Sequence, residues 1–436
     1  MALKSNPNNV CEQLCRDTKL PKMYRVHQKL CHEAYDTALI PSVIREEFYS
    51  RKIAARIKSG DEIAITCGSR GVDNIALIIK TLAELVKECG GKPFVFPAMG
   101  SHGGATAEGQ TAILRSYGVT EEYLGCPIKA TMDTVEIAHL KDGRPVYVDK
   151  YAYEADGIIL CGRVKAHTGF RGPFESGIVK MAVIGMGKQH GAQSVHSTGF
   201  ATMSETMQEA GKMILERTRI ICGVATIENA FDQTNHLEII PKENIWAREP
   251  ELLLEAKAKM GRFLIDSTDV LVIDQIGKNI SGDGMDTNVT NRFSAPEIMG
   301  DEVKFHAQKV AVLDLTEETH GNCSGVGLAD ITTKRLVDKI DVDASYPNAV
   351  TCTVLKIAKI PLFMHSDRSC IQTAVRTCNK IDYANPKIIR ILDTNHIEEF
   401  EVSEALLDEV QNNPDMKVLD GPYDWPFDEN GNLRPI

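Results

Sequence analysis

Four short apolar runs in this chain each end in a polar loop that carries glycine, and this repetition constrains the fold more than any other feature. Glu62–Cys67 (EIAITC) leads into GSRGVDN, and Pro93–Pro97 (PFVFP) leads into AMGSHGGAT. Gly157–Cys161 (GIILC) leads into GRVKAHTGF, and the run at 270–275 (VLVIDQ) leads into IGKNISGDGMD. Runs of this length and composition, bounded by turn residues, predict strands buried on both faces. Between the first two lies VDNIALIIKTLAELVKECGG, which has helical periodicity and closes on paired glycines suited to a C-cap. A second helix is expected over Ala105–Tyr117. Alternation of this kind predicts an α/β fold with mainly parallel sheets covered by helices.

At 436 residues the chain exceeds one ordinary core, so two α/β domains are expected, with an active site in the cleft between them. The charged stretch EPELLLEAKAKMGRFL separates the first set of elements from a second that begins with VLVIDQ and continues with KVAVLDL at 309–315. The expected division is therefore 1–262 for an N-terminal cofactor-binding and catalytic domain. Residues 263–436 would form a C-terminal domain closing the site, with an extended tail after about Asp415 wrapping the surface.

A formal net charge of −11 argues against a nucleic-acid partner, which would need a basic footprint. A local basic pocket for an anionic small molecule remains compatible with it. No run reaches the roughly eighteen apolar residues of a membrane-spanning helix, and the start, MALKSNPNNVCEQLC, lacks a secretory apolar core. The twelve cysteines form no CxxC pairs and read as reduced thiols, so a cytoplasmic location is expected.

In α/β folds ligands gather where strands end, and those positions here hold Arg70, His102, His167, Gln275 and Lys278. A lone loop arginine is most often a solvated charge, and a lone histidine beside glycines often only completes a turn. Their joint occurrence at equivalent positions is what points to a site. Familiar motifs fail. A Walker loop at Gly187-Lys188 has Ala182 where its first glycine belongs and Gln189 after the lysine. A dinucleotide fingerprint from Gly185 and Gly187 meets His190 third, and a nucleophile elbow on Ser176 has Phe174 in place of glycine.

The strand-end arginine, the GSH loop, the HxGF…K…H segment and the QxxK of the second half together resemble the nickel-dependent lactate racemase family, most of the chain following its order and spacing. The resemblance implies a racemase or epimerase that inverts the C2 centre of a small-molecule α-hydroxy acid. The chemistry would be hydride transfer to and from a covalently bound nickel-pincer nucleotide, Ni(II) pyridinium-3,5-bisthiocarboxylic acid mononucleotide. His102 and His167 fall on the family's acid/base histidines, Lys180 on its cofactor-bearing lysine and His196 on its nickel ligand. Arg70, Gln275 and Lys278 fall on polar contacts to cofactor or substrate, with Arg70 suited to the substrate carboxylate. Gly169, Arg171 and Gly172 form a candidate cradle for the nucleotide phosphate.

The chain departs from the family in three places. Cys67 stands where the family has an aspartate, the loop between His167 and Lys180 is longer, and neither Trp246 nor Trp425 matches the family's substrate-side tryptophan. The longer loop leaves Lys188 as a competing anchor. Two other functions stay open at this point, a nickel or nucleotide carrier without turnover and a lysine Schiff-base isomerase or aldolase using Lys180 or Lys188.

Overall fold

The computed structural model describes residues 6, 7, 9–69, 71–295 and 303–436, apart from the side chain at position 351. The chain divides into two compact units, one of Cys31–Met260 and one that joins Met1–Leu30 to Gly261–Ile436. The expected first domain of 1–262 differs from this at its start. The reason is strand β1, Met23–Gln28, whose backbone pairs with strands near the far end of the chain.

The Cys31–Met260 unit is built on β2 (Glu62–Cys67), β3 (Lys92–Pro97), β6 (Gly157–Arg163), β7 (Ile220–Glu228) and β8 (Thr234–Pro241). Their order is β3-β2-β6-β7-β8, with parallel pairing except for the antiparallel β7–β8 edge. A separate hairpin joins β4 (Thr134–His139) to β5 (Pro145–Asp149). Strands β2, β6 and β7 are apolar almost throughout because both faces are covered. Helix Ile75–Glu88 buries Ile78, Ile79, Leu82, Leu85 and Val86 at helical spacing against Ile63, Ile65 and Val95. Each such side chain contributes roughly 1.5–3 kcal/mol on burial. The helix stops where Gly90, at φ +84°, takes the left-handed turn that closes its end. The helix expected at 105–117 spans Ala107–Ser116, after a short 3-10 turn at Gly103–Ala105.

The other unit holds an eight-stranded sheet that adds β9 (Ser267–Ile276), β10 (His306–Leu315), β11 (Ile331–Thr333), β12 (Leu362–Met364), β13 (Ile388–Ile391), β14 (Glu399–Ser403) and β15 (Met416–Tyr423). Its order is β12-β11-β10-β9-β13-β14-β1-β15. The first five are parallel, and β14, β1 and β15 pair antiparallel. The tail expected to wrap the surface thus first forms edge strand β15 along β1. Within the sheet, Arg390 of β13 is fully buried and donates to both carboxylate oxygens of Asp274 on β9 at 2.9 Å and to Glu401 on β14 at 3.0 Å, so its charge is paired. The architecture is mixed α/β with mainly parallel sheets. Among the described residues no helix is long and apolar enough to cross a membrane.

Candidate active site

Strand β6 leaves the sheet at Arg163, and the chain then forms a loop whose geometry is set by one buried carboxylate. Glu175, 1% exposed, accepts the His167 amide at 2.7 Å on Oε2 and the Lys257 ammonium at 2.8 Å on Oε1. Arg171 donates to the His167 carbonyl at 2.6 Å and lies 3.4 Å from Glu175. The Gly169 amide donates to His167 Nδ1 at 2.9 Å. An N–H pointing at Nδ1 requires a lone pair there, so the neutral imidazole carries its proton on Nε2.

Gly169, Arg171 and Gly172, expected to cradle a phosphate, close the loop on the protein itself. A Cβ at Gly169 would lie 3.0 Å from the Phe200 ring, and one at Gly172 only 2.1 Å from Ser204 Oγ. Arg171 is engaged with its own loop through the His167 carbonyl and Glu175.

Ser176 returns the chain alongside Lys165, each amide donating to the other's carbonyl, and the segment bearing Lys180 begins two residues later. That segment is helical from Ile178 to Lys180 and widens into a π-helical turn over Met181–Gly185. Such turns are rare and often sit at functional sites. At 177 a Cβ would lie 2.1 Å from Glu249 Oε1, so the Glu249 carboxyl packs where a side chain would stand. Glycine is required at 185, where a Cβ would lie 2.8 Å from the Ala98 carbonyl. This approach lets the Gly100 amide donate to the Gly185 carbonyl at 3.2 Å, so the loop carrying His102 rests on the Lys180 segment.

Lys180 is half-buried, and its ammonium is 3.4 Å from Ser176 Oγ. Burial, and then the Lys180 charge, push the His196 pKa down to about 4. His196 is therefore neutral near pH 7, with a lone pair available to a metal. The Phe200 ring joins this group, its centroid 6.3 Å from that of His167 and 5.9 Å, edge-on, from that of His196.

Lys188 has a different fate. Its side chain is fully buried, 3.0 Å from Asp149 Oδ2, and it also donates to the Pro97 carbonyl and to Gln110 Oε1. Gln110 Nε2 in turn donates to the Gly100 and His102 carbonyls at 2.9 and 3.2 Å. Lys188 thus holds the His102 loop from behind and presents no amine for a covalent bond, which removes it as the competing anchor.

His102 is exposed, and its Nδ1 is 2.5 Å from Ser69 Oγ. Ser69 was not singled out in the sequence, although its place in GSRG, two residues after β2, was a usable signal. Arg70 lies outside the described residues. Cys67 is fully buried and burial pushes its thiol far up, so a neutral group stands at the end of β2.

Gln275 and Lys278 belong to the other unit. There β10 lies on one side of β9 and β13 on the other, so the carboxyl end of β9 is a topological switch point, where ligands commonly bind. Gln275 donates its backbone N–H to the Leu392 carbonyl at 3.0 Å, while Lys278 donates through its side-chain Nζ to the Gly282 carbonyl at 2.9 Å. Among the described residues no group of three or more His, Cys, Asp or Glu side chains converges as metal ligands.

Residues 14–209 match the family model described as the lactate racemase N-terminal domain. No curated protein matches the chain. The solved structure of the lactate racemase apoprotein from Thermoanaerobacterium thermosaccharolyticum is similar at 11% identity and a TM-score of 0.49, covering 91% of this chain and 92% of that one. The segment matched by the family model, less than half of the chain, contains His102, His167, Lys180 and His196, and over that segment the chain is similar to the lactate racemase N-terminal domain.

Proposed function

We propose that the protein is a racemase or epimerase acting at C2 of an α-hydroxy acid, with a nickel-pincer nucleotide attached at Lys180. The observation that carries this reading is the pairing of Lys180 with His196. A half-buried amine stands beside an imidazole held neutral by burial and by that amine's charge, and the rival lysine is sealed in the core. The donor set fits the group: Lys180 would carry the covalent bond and His196 would donate its lone pair to nickel. A single imidazole holds nickel weakly, and sulfur arms on the nucleotide would complete the coordination. When bound, the group supplies reversible two-electron chemistry at the substrate C2.

The protein's part is proton handling and orientation. His167 presents Nε2–H in its neutral form, because Gly169 occupies Nδ1. His102 is not fixed in that way, since the Ser69 hydroxyl can either donate to Nδ1 or accept from it. His102, with Nδ1–H toward Ser69, can take the substrate hydroxyl proton at Nε2. His167 can take one at Nε2 only in the tautomer that carries its proton on Nδ1, so inversion in both directions requires the Gly169 contact to open. Arg70 is proposed to bind the substrate carboxylate, on its residue type and its place after β2. Gln275 and Lys278 are proposed as polar contacts to cofactor or substrate, their place at a switch point supporting this.

The test is to produce the protein together with the cofactor-synthesis enzymes and offer it single stereoisomers of lactate, malate, 2-hydroxyglutarate and gluconate. Chiral chromatography should show one of them converted to a mixture at C2. Nickel-loaded protein that converts no α-hydroxy acid would contradict the proposal.

A further inference from the structure

The stretch that separates the two halves in sequence forms helix Ile245–Lys259, whose Lys257 and Glu249 both reach candidate catalytic segments. Glu249, Leu253 and Lys257 are spaced four residues apart and share one helix face, where Leu253 is buried between the two polar side chains. Lys257 pairs with Glu175 at 2.8 Å, and Glu175 holds the His167 amide. Glu249 is 1% exposed and accepts the Val179 amide at 2.9 Å, one residue before Lys180. The Glu249 carboxyl lies against Gly177, filling the space a side chain there would take.

We propose that Lys257 and Glu249 are positioning residues, and that this helix is a single brace setting the His167 loop and the Lys180 turn in a fixed relation. Lys257 acts through Glu175. Its charge balances a carboxylate that has no exposed side-chain surface, and this keeps the carboxylate available to the His167 amide. Glu249 supplies an acceptor to the amide at the start of the Lys180 turn, which has no other capping side chain there. The catalytic consequence rests on the proposed roles of His167 and Lys180, whereas the bracing itself does not.

The test compares the full-length wild type with Lys257→Met and Lys257→Arg. Amide hydrogen exchange of the metal-free protein should rise at least tenfold within 165–176 in Lys257→Met, with strand Glu62–Cys67 unchanged. In nickel-loaded protein, kcat should fall at least tenfold with KM within twofold, and Lys257→Arg should restore both readings. Should Lys257→Met fail to fold, Glu175→Gln, which keeps the side-chain volume, gives the same comparison. Unchanged exchange at 165–176 would overturn the brace, and faster exchange with unchanged kcat would overturn its positioning role. A wild type that carries nickel but has no turnover would instead sink the proposed function and leave the exchange result standing.

Discussion

Lys188 Nζ lies 3.0 Å from Asp149 Oδ2, and neither side chain has any exposed surface. Burial pushes the lysine toward its neutral form and the aspartic acid toward its own, while each supports the charge of the other. Removing one partner of such a pair strands the other in a low-dielectric interior. Lys188→Met should therefore lower unfolding stability by about 3 kcal/mol, measured by chemical denaturation. Replacing Asp149 with leucine in the same chain should recover much of the loss. Additive losses in the double variant would show that the two residues do not act as a pair.

Glu249 gives a pH signature. Its carboxyl pKa is raised from 4.5 to about 8 by burial, only partly offset by the amides of Val179 and Ile178. The folded chain thus holds a proton that the unfolded chain releases. The associated stability is fully present below about pH 4.5 and is lost as pH rises toward 8. In Glu249→Gln that loss is absent, so the variant should gain on the wild type across this window by up to a few kcal/mol. Thermal unfolding midpoints between pH 5 and 9 test this, and parallel curves for the two proteins would contradict it.

The candidate histidines should separate by function. His102→Ala and His167→Ala should each cut turnover by about 10²- to 10⁴-fold while nickel stays bound. His196→Ala should lose nickel yet keep a covalent adduct. Nickel analysis and intact mass distinguish these outcomes, and normal turnover in either of the first two variants would remove that histidine from the proton pair.

Much of this architecture is legible in the sequence, because buried parallel strands are short apolar runs and the loops after them carry glycine. Strands β2, β3, β6 and β9 are found this way, and with them the positions of His102, His167, Gln275 and Lys278. What was not legible depends on partners remote in sequence. Lys180 and Lys188 look alike locally, and only Asp149 and Gln110, 78 residues before Lys188 in the latter case, show which one is sealed. Arg171 in a glycine loop reads as a phosphate ligand, and nothing local shows that it also pairs with Glu175. EPELLLEAKAK reads only as a charged helical stretch between the two halves, because nothing local shows that Glu249 faces inward. Strand β1 escapes because its partners lie beyond residue 398, and register is set by pairing that its own six residues do not specify.

The central claim is that one cofactor is anchored at Lys180 and joined to the protein through His196. Intact mass and peptide mapping of the chain made together with the cofactor-synthesis enzymes, with nickel measured on the same sample, test it most directly. The account predicts an adduct on the peptide containing Lys180, none on Lys188, about one nickel per chain, and loss of the adduct in Lys180→Ala. Fully active protein with neither adduct nor nickel, or an adduct that persists in Lys180→Ala, would contradict it.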